Sequence, residues 1–303
     1  MAENDNVIAA AAAWKGAPMA LATVVSTWGS APRPRGSHMI VHADGRFEGS
    51  VSGGCVETDI LAIAADVIAG APAVVKTYGV ADDAAWEVGL PCGGTIEVLV
   101  QPVSGAGFPP ALFESIAAAQ ASGTPLDIGT DLATGLSAIG AGGFVNRYDP
   151  PRRLLIVGAV QIAQTLAGLA RELGISCTVI DPRGRFLTAE RFPKVMLDDR
   201  WPDEAVTALK PDRATAVVTL SHDTKIDDPA LIAALASPAG YVAALGSRKS
   251  QAARLERLAA AGVTPENLAR IEGPAGLDLG AIGPAEIALS IAAAMVRSFH
   301  GRA

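Results

Sequence analysis

The chain has 303 residues, half of them hydrophobic, a net charge of −7 at pH 7 and a pI near 5.1. That length suits two domains of roughly 150 residues, and an acidic balance without Lys/Arg clusters removes the counterion-release basis for binding nucleic acid. No apolar run reaches the roughly 18 residues of a membrane helix and no cationic leader precedes one, so a cytoplasmic protein without membrane insertion is expected.

In chain order, a short helix is expected near Asn6–Trp14, and the β-branched density of Met19–Ser26 reads as a buried strand. The loop Ser30–Gly36 follows, then a strand His38–His42 and a hairpin turn at Ala43–Arg46, where Asp44-Gly45 supplies the positive φ angles. The segment Pro34–Met39 matches a common purification-tag scar but is internal and is read as native. After Gly49-Ser-Val-Ser-Gly-Gly54 come a helix near Cys55–Ala69, a strand Ala73–Tyr78, a second glycine turn at Gly89–Gly94, and a strand Thr95–Gln101.

From 104 to 150 the periodicity weakens around one helix, Pro110–Ala121, and the segment is read as a connecting region. Beyond it strands and helices alternate: Leu154–Gly158, Gln161–Leu173, Ser176–Asp181, Ala214–Leu220, Asp228–Ala236, Tyr241–Leu245, Lys249–Ala261 and Pro284–Phe299. The expected class is therefore α/β, with a smaller N-terminal α+β domain (1–103) and a C-terminal Rossmann-like domain (151–303) built on a parallel sheet.

Four features carry chemistry. Gly158-Ala159-Val160 lies between a strand and a helix, with Asp181 at the end of the next strand, where a dinucleotide fold places its ribose-binding carboxylate. Val160 replaces the glycine that lets the backbone approach a pyrophosphate, which argues against ordinary NAD(P) binding; a plain tight turn is the alternative. Gly53-Gly54-Cys55 precedes a helix whose start would favour an anion and a thiolate. Cys92-Gly93-Gly94 forms a similar loop, and for either cysteine a small apolar filler is the competing role. The three cysteines are too few for a disulfide framework and are expected reduced, with Cys177 a strand filler. Last, Ser221-His222-Asp223 ends a core strand, where His222 could contact a ligand or move a proton, or where Ser221 and Asp223 simply turn and cap the chain. His38 and His42 share a strand face without a third metal ligand nearby.

Taken in order, Thr27-Trp-Gly-Ser-Ala-Pro-Arg-Pro34, Gly49–Glu57, Gly89–Glu97, Leu155–Val160, Val179–Arg183, Glu190–Pro193, Ser221–Asp223, Leu245–Arg248 and Gly273–Gly280 resemble the XdhC/CoxI accessory proteins of molybdenum hydroxylases. The Gly-Ala-Val turn is closer to the CoxI branch, which usually has His where Gln161 stands here. The resemblance implies a chaperone that binds molybdenum cofactor, as molybdopterin or its cytosine dinucleotide. It would hold the cofactor while a cysteine desulfurase supplies the terminal sulfur, then pass it to an apo molybdenum hydroxylase. In that role Cys55 and Cys92 would contact molybdenum or sulfur, and Gly53, Gly54, Gly93, Gly94, Gly158, Ala159, Val160, Asp181 and His222 would line the cofactor; a homodimer stays open. Two other readings remain: an NAD(P)-dependent oxidoreductase using His222 as acid or base, and a thiol redox or metal-trafficking protein.

Overall fold

The computed structural model describes residues 2–54, 56–79, 94–140 and 142–301. Cys55, Cys92 and Gly93 lie outside the described residues. The chain divides into two compact units, Met1–Pro150 and Pro151–Ala303.

In the first unit α1 (Ala2–Ala13) precedes β1 (Met19–Trp28), β2 (His38–His42) and β3 (Phe47–Gly49). Then follow α2 (Glu57–Ile68), β4 (Val74–Tyr78) and β5 (Thr95–Pro102), and the strands pair in the order β3-β2-β1-β5-β4, all antiparallel. Period-two alternation divides β1 between two cores. Ala20, Ala22 and Val24 pack with Ile60, Ala64 and Val67 of α2, whereas Met19 and Leu21 pack with Val7, Ile8 and Ala11 of α1.

The second of those cores corrects the expected connecting region. Residues 104–150 contain α3 (Ala111–Ala121) and an antiparallel sheet β7-β6-β8, from β6 (Leu126–Thr130), β7 (Ser137–Ile139) and β8 (Phe144–Tyr148). Phe108, Leu112, Phe113, Ile116, Ile128 and Tyr148 complete the α1 core, so this segment folds as part of the unit. Short strands broken by Gly and Ser have too few alternations to register as periodic, yet each supplies a buried side chain.

The second unit runs β9 (Arg153–Val157), α4 (Gln161–Glu172), β10 (Ser176–Ile180), β11 (Met196–Asp198), α5 (Pro202–Leu209), β12 (Thr215–Thr219), α6 (Thr224–Leu235), β13 (Tyr241–Ala244), α7 (Arg248–Ala260), α8 (Pro265–Leu268), β14 (Ile271–Glu272) and α9 (Pro284–Phe299). Its sheet is parallel throughout, in the order β11-β10-β9-β12-β13-β14. Numbered within the unit this is 3-2-1-4-5-6, the doubly wound Rossmann order, which places ligands outside the carboxyl ends of the strands. Alternation again sorts the faces. Leu154 and Ile156 of β9 join α4 and α9 in one core; Leu155 and Val157 join Ala205 and Val206 of α5 and Ile226, Ala230 and Leu231 of α6 in the other. The expected α/β class with a Rossmann-like C-terminal domain is what the chain adopts.

Candidate functional site

In the first unit the glycine loop before α2 has an unexpected occupant. Gly53 and Gly54 have φ of 80° and 123°, a conformation that turns successive N–H groups toward a common point. The group at that point is the carboxylate of Glu57. Its Oε1 accepts from the N–H of Val51 (3.2 Å), Ser52 (2.9 Å) and Gly53 (3.1 Å) and from Ser50 Oγ (2.7 Å). Its Oε2 accepts from the N–H of Gly54 (2.8 Å) and Val56 (3.2 Å) and from Ser52 Oγ. Burial alone would raise this carboxyl, but the hydroxyls of Ser52 and Ser50 and the Ser52 N–H hold it down, to about 2. Hence the anion expected from a ligand at Gly53 and Gly54 is supplied by the chain itself. Sequence reasoning missed Glu57, although an acid directly after a Ser/Gly loop is a pattern for such local side-chain-to-backbone bonding.

Gly94 is needed for packing: a Cβ there would lie 2.4 Å from the Ser30 carbonyl oxygen. His38 sits in a buried network, with Nδ1 2.9 Å from Thr23 Oγ1 and Nε2 2.7 Å from the Tyr148 hydroxyl and 3.1 Å from Asn146 Nδ2. Burial pushes its imidazole down to about 4, so it is neutral at pH 7.

In the second unit Gly158 has φ of 105°, and a Cβ there would stand 2.8 Å from the backbone nitrogen of Ser221. This glycine therefore lets the ends of β9 and β12 approach. Ala159 donates its N–H to Asp181 Oδ2 at 2.8 Å, and Arg183 binds the same carboxylate through its N–H (2.9 Å), Nε (2.9 Å) and Nη2 (2.8 Å). Asp181 is fully buried and both oxygens are engaged twice by the chain itself. Burial opposes ionisation, yet the Arg183 guanidinium and the Ala159 N–H hold the carboxyl below its usual range. Arg191 closes the turn from outside, donating to the Ala159 carbonyl at 2.9 Å and lying over the Phe186 ring. Val160 is extended at the start of α4, with no side-chain cap.

Next along the carboxyl edge, Asp223 caps α6 through the Lys225 N–H (2.9 Å), and Ser221 Oγ donates to Asp227 Oδ1 at 2.7 Å. The turning and capping alternative thus holds for Ser221 and Asp223. His222 between them is exposed, with φ of 61°, a left-handed conformation that is costly for a residue with a side chain. It lines a cleft of about 380 Å³ with Thr224, Asp227, Leu245, Lys249 and Arg254. Thr219 Oγ1 and Arg254 Nε, both at this edge, are buried polar atoms with no hydrogen-bond partner among the described residues. Cys177 is half-buried in β10, and burial pushes its thiol up to about 12, which disfavours the reactive thiolate. Among the described residues no cluster of His, Cys, Asp and Glu could hold a metal ion, and no helix is long and apolar enough to cross a membrane.

Comparison with known proteins accounts for both units. Residues 12–79 match the XdhC and CoxI family and residues 154–295 match the XdhC Rossmann domain. The molybdenum cofactor insertion chaperone PaoD of Escherichia coli (strain K12) is 30% identical over 282 residues, covering 90% of this chain and 81% of that protein. A Bacillus subtilis (strain 168) protein named as a probable xanthine dehydrogenase subunit is 26% identical over 313 residues, covering 92% of each. A crystal structure described as a xanthine dehydrogenase from Bacillus halodurans shares the fold, with a TM-score of 0.77, 24% identity and coverage of 98% of this chain and 96% of that one. With its sequence relatives, its two matched segments and its strand order in agreement, the chain belongs to the XdhC and CoxI family.

Proposed function

We propose that the protein binds molybdenum cofactor and delivers it to an apo molybdenum hydroxylase of the xanthine or carbon monoxide dehydrogenase type. The observation that carries this reading is the 30% identity to the insertion chaperone PaoD across both units. In the proposed cycle, which runs in the cytoplasm, a cysteine desulfurase supplies the terminal sulfur while the cofactor is held. Cys55 and Cys92 are assigned the soft thiolate contacts to molybdenum or sulfur. The cofactor in this reading is molybdopterin or its cytosine dinucleotide.

The oxidoreductase reading is disfavoured by two observations. Val160 stands where a dinucleotide turn needs glycine, and Asp181 has no lone pair left for a ribose. The test is reconstitution: apo-hydroxylase, molybdenum cofactor, a cysteine desulfurase and cysteine are mixed with and without the protein. Faster recovery of hydroxylase activity with the wild type than with a Cys55→Ser, Cys92→Ser double variant is expected. Equal recovery without the protein would overturn the reading, as would NAD(H) or NADP(H) binding by calorimetry with no effect on activation.

A further inference from the structure

Two sequence motifs, Ser221-His-Asp223 and Leu245-Gly-Ser-Arg248, end the adjacent parallel strands β12 and β13 and open on the same cleft. This is the second mononucleotide half of the Rossmann sheet, away from the closed Gly158 turn. Arg254, on α7, is only 5% exposed and lines the cleft. Its Nη1 donates to Gln251 Oε1 at 2.6 Å and its Nη2 to the Leu245 carbonyl at 2.7 Å, but its Nε has no acceptor among the described residues. A buried guanidinium with an unmet donor is costly unless an occupant supplies the acceptor.

The surrounding charges point the same way. Arg257 is paired with Asp228 at 2.7 Å, so these two cancel, whereas Lys249 and Arg254 have no ion-pair partner within 4 Å among the described residues. Lys249 is exposed at the second position of α7, where the helix dipole adds positive potential. Asp227, 3% exposed, lines the same cleft and supplies a carboxyl acceptor for a hydrogen-donating ring edge.

We propose that this cleft binds a nucleotide-like ligand, with its phosphate between Lys249, Arg254 and the start of α7 and an amino-bearing ring toward Asp227. For the identity of that ring the assignment rests on the cofactor-handling reading. The experiment is calorimetry on the full chain with cytidine 5′-diphosphate and inorganic pyrophosphate, comparing wild type with Lys249→Ala, Arg254→Met and the exposed control Lys76→Ala. Wild type and Lys76→Ala bind the diphosphate equally; Lys249→Ala binds at least about fivefold more weakly; Arg254→Met shows no measurable binding. Because Lys249 is exposed, its variant decides the matter should Arg254→Met unfold.

Absence of binding in the wild type, or unchanged affinity in Lys249→Ala, overturns the proposal, and pyrophosphate binding as tightly as the nucleotide removes the ring contact. Pterin content measured on the same preparations separates the two ideas. Pterin carried with unchanged nucleotide affinity in Lys249→Ala defeats the cleft and leaves the cofactor reading standing. Nucleotide bound as predicted by a protein that never carries pterin upholds the cleft and defeats that reading.

Discussion

Replacing Glu57 by Gln removes the charge that the N–H groups of Val51, Ser52, Gly53, Gly54 and Val56 surround. With several donors left facing an amide, the expected loss is about 2–3 kcal/mol in urea unfolding at pH 7. Since the native carboxyl is depressed to about 2, its contribution is complete above the ordinary value of 4.5 and is lost as pH falls from there through about 2. His38 acts in a higher window. Its imidazole is depressed from 6.5 to about 4, so below pH 6.5 the unfolded chain takes up a proton that the native state refuses. Stability from this group is complete above pH 6.5 and declines by about 3 kcal/mol by pH 4. An NMR titration should find the His38 ring unprotonated down to pH 5; a midpoint near 6.5 would contradict the burial argument. Neither role was legible in the sequence, because Gly53-Gly54 reads equally well as a cradle for an external or an internal anion. At Asp181 the sequence position matches a ribose acceptor, and the hydrogen bonds from Arg183 and Ala159 that fill its oxygens are visible only in the coordinates.

Gly158 and Gly168 form a test pair on either side of the α4 start. Alanine at 158 must adopt φ of 105° and bring a Cβ to 2.8 Å from the Ser221 nitrogen, so a loss of about 2–4 kcal/mol is expected. Alanine at 168, inside α4 with nothing within 4 Å of its Cβ, should stabilise by about 0.5–1 kcal/mol. Thermal unfolding of the two variants checks both signs, and equal effects would contradict the account of the turn. The parallel sheet was legible because β9, β12 and β13 are short apolar runs, each followed by a helical period. One helix boundary and one small sheet were less so. The helix expected from Asp228 starts earlier, because Asp223 caps the chain and α6 continues through Pro229. The strands β6 to β8 escaped because runs of only three to five residues carry almost no periodic signal.

Each unit has its own cores, so the piece 151–303 should fold alone and unfold in one cooperative transition by circular dichroism, with a non-cooperative melt contradicting the division. Family membership was legible from the order of several short motifs, none specific by itself. The internal anion at Glu57 and the cleft beside Arg254 needed coordinates, because they depend on which donors are already satisfied. The most direct test is to purify the full chain from a host able to make molybdopterin and from one that cannot, then oxidise each preparation and measure pterin fluorescence. Near-stoichiometric pterin is expected from the first host and none from the second; an equally empty protein from both would contradict cofactor binding.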